Sequence, residues 1–145
     1  MDSDDMILLI ASQMYHGNEC IPKDDEVLIP IVSLNIDAGK IAIDRCHHDL
    51  AYIYLDTALS LLPDESWERY YDVNIRLHFL MANAANATYK YDEAEKMLQK
   101  VLSEGRCVED NVSSYYLLSQ SKCDYFSLFS LYCLVTLILS IINCI

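Results

Sequence analysis

Residues 89–102 read YKYDEAEKMLQKVL, and this stretch decides the fold class. Its apolar side chains recur at spacings of four and three, at Ala94, Leu98 and Val101, with lysines and a glutamine on the opposite face. Asp92 and Glu93 stand at the start, where the positive end of a helix dipole favours carboxylates. The stretch predicts an amphipathic α-helix. Its position behind another apolar run raises the question of whether it is the second helix of a hairpin.

Helical spacing continues through most of the chain. The sequence holds only three glycines and three prolines, which predicts long helices joined by short turns. Apolar residues at helical spacing predict further helices over 6–15, 24–42, 50–62, 66–85 and 110–122. Pro30 falls a few residues into the second of these helices, where it either marks the first turn or kinks the helix. Because strand-like alternation is nowhere sustained, the predicted fold class is all-α.

One pattern of small residues occurs twice, and its two copies are 43 residues apart, as Ala51 and Ala94 are. In each copy small residues precede the central alanine by twelve and nine positions, and a leucine follows it by four. Small side chains let two helices approach closely, and the leucine fills the space beside them. The pattern predicts two successive helical hairpins, and the structural positions that would build them are Gly39, Ala42, Ala51, Leu55, Ala58, Pro63, Ala82, Ala85, Ala94, Leu98 and Val101.

This spacing resembles the tetratricopeptide repeat, which has small residues on its first helix, an alanine–leucine–alanine pattern on its second, and a closing proline. Pro63 closes the first copy, whereas Val101 replaces the last small residue of the second copy and no proline follows it. The family's first-helix Trp and Tyr are missing, and the excess over its 34-residue period sits around residues 63–67. The resemblance implies antiparallel hairpins stacked as a short solenoid, with a longer first helix, that presents a concave face to a protein or peptide.

Several elements, taken in order, also resemble the helical-repeat region of large multidomain signalling proteins. Those proteins carry an AAA-type ATPase module, often with a protein kinase domain and sometimes a sensor histidine kinase. The matching elements are LN-x2-AGK-x-A at 34–42, AYIYLDTALSLLP at 51–63, SWERYYDVNIRLH at 66–78 and YDEAEKML at 91–98. The catalytic modules are absent here, since no GxxxxGK[ST], HRD or DFG occurs. The resemblance therefore assigns no ATP-binding or phosphate-transfer residue to this chain.

Composition narrows the classes of function. With 10 basic and 22 acidic residues, the net charge of −12 argues against nucleic acid and against an anionic membrane surface as partners. The first residues, MDSDDMILLIASQMY, carry acids where a signal peptide needs positive charge, so we expect a cytoplasmic protein with six reduced cysteines. His47 and His48 point about 100° apart on a helix and do not converge on a metal. No catalytic residue, cofactor site or metal site is predicted.

Residues 126–145, FSLFSLYCLVTLILSIINCI, contain no charge and leave three interpretations open. Twenty residues at about 1.5 Å each just span a hydrocarbon core of about 30 Å, so the segment fits a C-terminal membrane anchor. It also fits a buried hydrophobic helix that pairs with 110–122. Because Phe, Ser, Leu, Tyr, Cys and Ile share U-rich codons, it is also typical of translated non-coding sequence.

The sequence thus divides into an N-terminal helix and linker (1–21), a tetratricopeptide-like helical domain (22–125) and a hydrophobic C-terminal segment (126–145). The leading hypothesis is a non-catalytic scaffold for protein–protein interaction, from a fragment or relative of such a repeat region. Its partner would be a protein, a peptide or a neighbouring domain. One alternative is an adaptor anchored to the membrane through 126–145, with its helical domain facing the cytosol. A weaker alternative is part of an enzyme whose ATPase or kinase modules lie outside this chain.

Overall fold

Carboxylates stand in the first turn of every helix that the structure describes. The structure is a computed structural model and describes residues 2–16, 24–63 and 65–121. These residues form seven helices and no strand: α1 (Ser3–His16), α2 (Asp25–Asp44), α3 (His48–Leu61), α4 (Ser66–Arg69), α5 (Tyr71–Ala87), α6 (Tyr91–Glu104) and α7 (Val108–Ser121). The acids in their first turns complement the positive end of each helix dipole. The predicted all-α class is confirmed.

Two predictions fall on other parts of the chain. The expected hydrophobic C-terminal helix over 126–145 and the boundary at residues 21 and 22 both lie outside the described residues. Within the described ranges, no helix combines the length and the apolar character that a membrane crossing requires.

The first hairpin joins α2 to α3 through a three-residue turn, 45–47. Asp24 caps the start of α2, since its carboxylate accepts a hydrogen bond from the Glu26 main-chain N–H at 3.3 Å. Pro30 lies inside α2 and is exposed. The two helices share a fully buried core that includes Ala42, Ala51 and Leu55, and its members on α3 lie at spacings of four and three. Two antiparallel helices with so short a connection form the predicted type of hairpin.

The second hairpin joins α5 to α6 and copies the first with a constant shift of 43 residues. In the first turn the N–H of His47 donates to the oxygen of Ala42 at 2.8 Å, and in the second the N–H of Lys90 donates to Ala85 at 2.8 Å. Each of these bonds closes a Schellman motif. The residues that this motif places in the left-handed region are Cys46 (φ 60°) and Tyr89 (φ 61°), and neither is a glycine.

Helix α1 packs against the first hairpin and helix α7 against the second. Helix α1 contacts α2 and α3, with Ala11 buried against Ala38 and Tyr54. Helix α7 contacts α5 and α6, and its Leu118 joins the same core cluster as Ala82 and other residues of the second hairpin. The hairpins meet each other where α5 contacts both α2 and α3.

The single helix predicted over 66–85 is wrong, because the structure interrupts it at Tyr70. The interruption separates the one-turn helix α4 from α5, and Tyr70 has φ −129° and ψ 49°. The side chain of Asn74 holds the break, since it donates to the oxygen of Tyr70 at 3.1 Å and accepts from the Ser66 hydroxyl at 3.3 Å. Ser66 is the first residue of α4 and not its cap. The extra length of the repeat is therefore taken up by a separate helical turn.

Gly105 ends α6, as glycine often does at helix C-termini, but for a different reason from the usual one. Its φ is −58°, so the left-handed freedom of glycine is not used there. A Cβ at this position would lie 2.6 Å from Asn111 Oδ1 and 2.9 Å from the oxygen of Val101. Glycine is needed because the turn into α7 passes too close for any side chain.

Candidate functional site

The structure places four of the predicted small-residue positions of the first copy at the interface between α2 and α3. Ala42, Ala51, Leu55 and Ala58 are fully buried and belong to one core cluster. Gly39 faces Leu55 so closely that a Cβ there would lie 2.6 Å from Leu55 Cγ. The sixth position of this copy, Pro63, is half-buried, lies beyond the end of α3 and belongs to none of the core clusters.

The second copy has the same arrangement between α5 and α6. Ala82, Ala85, Ala94 and Leu98 share a second core cluster and are fully buried. Val101 is also fully buried but belongs to neither that cluster nor the first one. The positions that belong to the two clusters build helix contacts, and every repeat position except the half-buried Pro63 is buried. These buried residues therefore form no part of the exposed surface.

Tyrosine side chains can anchor a bound peptide but more often pack between helices, and the structure uses most of the six tyrosines at 52, 54, 70, 71, 115 and 116 internally. The hydroxyls of Tyr52, Tyr70 and Tyr71 donate to Glu93, Asp25 and Asp110, and that of Tyr54 donates to the oxygen of Leu8. Burial raises the pKa of all four hydroxyls, and the carboxylate partners of the first three raise the pKa further. These tyrosines tie helices together. Tyr116, by contrast, is 61 % exposed.

Tyr116 lies in a groove between α5 and α7, which we call the α5/α7 groove. The groove has a volume of about 560 Å³ and is lined by Phe79, Leu80, Asn83, Val112, Ser113, Tyr116 and Leu117. On α7 the lining residues follow the spacing i, i+1, i+4, i+5, which places them on one face of the helix. Most of this lining is apolar, with one amide and two hydroxyls for hydrogen bonding. Such a surface suits apolar side chains held in place by a few polar contacts.

The two walls of the groove run in the same direction along the molecule. Near their starts, the Tyr71 hydroxyl on α5 donates to Asp110 on α7 at 2.6 Å. Further along both helices, Ala82 and Leu118 share one core cluster. Contacts that advance together on both helices mean that α5 and α7 are parallel. Their N-termini therefore lie at the same end of the groove.

A network of hydrogen bonds fixes this N-terminal end. Tyr71 accepts from the main-chain N–H of Arg106 at 2.7 Å, and the Arg106 guanidinium lies 4.5 Å from the centre of the Tyr71 ring. Arg106 also donates to the oxygen of Trp67 at 3.1 Å. The Cys107 thiol donates to the Asp110 carboxylate at 2.8 Å, which raises the thiol's pKa and disfavours the nucleophilic thiolate. These contacts hold α7 at a fixed distance from α5.

His78 is a buried residue of α5, the helix that forms one wall of the groove. It is buried, its Nδ1 donates to the Asn74 main-chain oxygen at 2.8 Å, and its ring lies 4.9 Å from that of Trp67. Burial lowers the pKa of His78, and the positive charge of Lys100 lowers it further, against the opposing effect of the Asn74 oxygen. The imidazole is therefore neutral at pH 7 and acts as a packing residue of α5.

In the described ranges, no three histidine, cysteine or acidic side chains come together as metal ligands. Comparison with known families, with curated proteins and with solved structures finds no match for this chain.

The small-residue pattern names positions that the structure mostly buries, but it gives no indication of the α5/α7 groove. A signal for it does exist in the spacing of Val112, Ser113, Tyr116 and Leu117, which form a second face beside the buried one on α7. That spacing can be interpreted as a groove wall only once α7 is known to lie beside α5. Such long-range placement is not encoded in the periodicity of either helix.

Proposed function

We propose that this protein is a non-catalytic scaffold for protein–protein interaction that binds a segment of another polypeptide in the α5/α7 groove. The groove itself is the observation that supports the proposal most directly. It is an open, mainly apolar cleft between two helices that the Tyr71–Asp110 hydrogen bond braces. Such clefts receive amphipathic or extended segments through a few apolar anchors.

The order of helix contacts supports the stacking that such a scaffold needs. The second helix of each hairpin contacts the next long helix of the chain, as α3 contacts α5 and α6 contacts α7. The first helices also contact in sequence, α2 with α5 and α5 with α7. Neighbour-to-neighbour contact of this kind is how helical solenoids are built. On this proposal, α2, α5 and α7 form one row, and the groove lies within that row.

Panning a library of random twelve-residue peptides on the full chain tests the proposal. Ser113→Trp adds bulk inside the groove at an exposed position, and Ser103→Trp makes the same change on the exposed surface of α6, outside the groove. We expect selected peptides to bind wild type and Ser103→Trp equally and to bind Ser113→Trp at least tenfold more weakly. Circular dichroism checks that both variants keep their helix content.

Two results would contradict this function. Selected peptides that bind both tryptophan variants with wild-type affinity would place the binding surface elsewhere. A library that yields no binder above background would remove the peptide-binding proposal altogether.

A further inference from the structure

The lining of the α5/α7 groove is uncharged, but the end of the groove is not. Asp72 stands in the first turn of α5 and Glu109 in the first turn of α7, and both are exposed. Because the two helices are parallel, both carboxylates lie toward the same end of the groove. Glu109 precedes Ser113 by four residues, so it also lies on the face of α7 that lines the groove.

The positive charge near this end is already engaged. Arg76, one turn beyond Asp72 on α5, forms a 2.6 Å ion pair with Asp37 on α2. Arg106 lies over the Tyr71 ring and donates to the oxygen of Trp67. Asp72 and Glu109 form no ion pair in the described part of the chain. Their two negative charges are therefore available to a partner.

An excess of unpaired negative charge over unpaired positive charge also holds for the described surface as a whole. Most of the described lysines and arginines have a partner within the chain, as ion pairs of Arg45, Arg69, Arg76 and Lys100 and as ring contacts of Lys90 and Arg106. The chain carries a net charge of −12. Such a surface attracts positively charged segments and repels acidic ones, and the effect weakens as salt increases.

We infer that the partner is a peptide segment whose uncharged apolar side chains fill the α5/α7 groove and whose lysines or arginines follow at the Asp72–Glu109 end. This inference rests on the proposed function and adds the chemistry and the direction of the bound segment. The apolar residues supply the contact area, and the basic residues fix which way the segment lies. An acidic segment with the same apolar residues is rejected.

The peptides selected from the random library supply the probes. We expect the peptides that require an open groove to be enriched in lysine and arginine on one side of two or more apolar residues. Replacing those basic residues with glutamine should weaken binding about threefold to tenfold at low salt, and raising NaCl to 0.3 M should remove most of that difference.

First-turn acids on other helices provide a matched control. The Asp72→Asn, Glu109→Gln double variant should weaken binding of the basic peptides about threefold to tenfold. It should leave their glutamine versions unchanged. Asp49→Asn with Asp92→Asn removes two equally exposed first-turn acids from α3 and α6, and we expect wild-type affinity.

The outcomes separate this inference from the proposed function. Two results would overturn the inference and leave the scaffold function standing. The first is that peptides weakened by Ser113→Trp show no enrichment in lysine or arginine. The second is that these peptides bind both double variants with equal affinity. Peptides that are basic but ignore Ser113→Trp would show attraction to an acidic surface only, and would overturn both.

Discussion

The turns of the two hairpins have the same main-chain conformation but differ in every side chain. Helices α3 and α6 each have 14 residues, and both begin and end 43 residues apart. The turn of the first hairpin is Arg45-Cys46-His47 and that of the second is Thr88-Tyr89-Lys90, yet each main-chain hydrogen bond of the first turn recurs 43 residues later in the second. The comparison teaches that the buried small residues and the Schellman bonds set the hairpin, while the exposed turn residues are free to vary.

The hairpins also differ in what covers them. The first has α1 against both of its helices and α5 on its other side. The second is followed by α7, which approaches α5 closely enough to share a core but leaves the α5/α7 groove open. The first hairpin is therefore covered by helices on both sides, whereas the second contributes one wall of an open surface groove. Four sets of substitutions compare equivalent positions in the two hairpins.

The largest expected difference concerns the leucines that fill the two hairpins. Leu55→Ala and Leu98→Ala each remove a fully buried side chain and should destabilise the protein by about 2–5 kcal/mol. We expect Leu55→Ala near the upper end, because its core has more fully buried members than that of Leu98 and collapses less readily. Urea unfolding measures both values. Equal losses would show that the two cores are equally adaptable.

The next difference concerns Gly39 and its counterpart Ala82. Gly39→Ala should destabilise by about 1 kcal/mol, since overpacking against Leu55 costs about 1–3 kcal/mol and helix propensity returns about 1 kcal/mol. Ala82→Gly should destabilise by about 1–2 kcal/mol, through lower helix propensity and through the loss of a buried methyl group.

The two causes are separable in a Leu55→Ala background. Leu55 Cγ and Cδ2, which lie 2.6 and 2.7 Å from the added Cβ, are then absent. Gly39→Ala should now stabilise by about 1 kcal/mol, reversing its sign. A Gly39→Ala effect that is the same in both backgrounds would refute the proposed contact.

A smaller gain is expected at the two left-handed turn residues. Cys46→Gly and Tyr89→Gly relieve a backbone strain of about 1–2 kcal/mol and lose about 0.5–1 kcal/mol to the unfolded chain's entropy. Each should stabilise by about 0.5–1 kcal/mol in urea unfolding. Tyr89→Gly should gain less, because it also loses an edge-on contact with Tyr91 at 6.2 Å. Cys46→Ala and Tyr89→Ala keep the strain and serve as controls that should show no such gain.

The turns also show which features of the structure can be predicted from the sequence and which cannot. Helix positions followed from apolar periodicity, and the 43-residue register followed from the alanines, because both are local patterns along one chain. The break at Tyr70 did not, since it depends on how the Asn74 side chain bonds the main-chain oxygen of Tyr70 and the hydroxyl of Ser66. Nor did the left-handed residues at the turns, where sequence rules favour glycine and the chain has Cys46 and Tyr89. The groove required knowing which helices are neighbours, which no single helix encodes.

The finest difference between the hairpins is a dependence on pH. Asn35 and His78 occupy equivalent buried positions, and each donates to the main-chain oxygen four residues earlier. Because burial lowers the pKa of His78 below its ordinary value of 6.5, the unfolded chain takes up a proton first as the pH falls. Its contribution to stability is therefore complete above pH 6.5 and declines below it.

His78→Asn gives the second hairpin the residue that the first already has. In urea unfolding at pH 7 and pH 5, wild type should lose more stability on acidification than His78→Asn does. The reciprocal change, Asn35→His, introduces a second buried imidazole and should steepen the loss. The carboxylates are the same in all three proteins, so their effect on stability cancels in the comparison. An identical pH response in wild type and His78→Asn would contradict the prediction. It would mean that His78 is as easily protonated in the folded protein as in the unfolded chain.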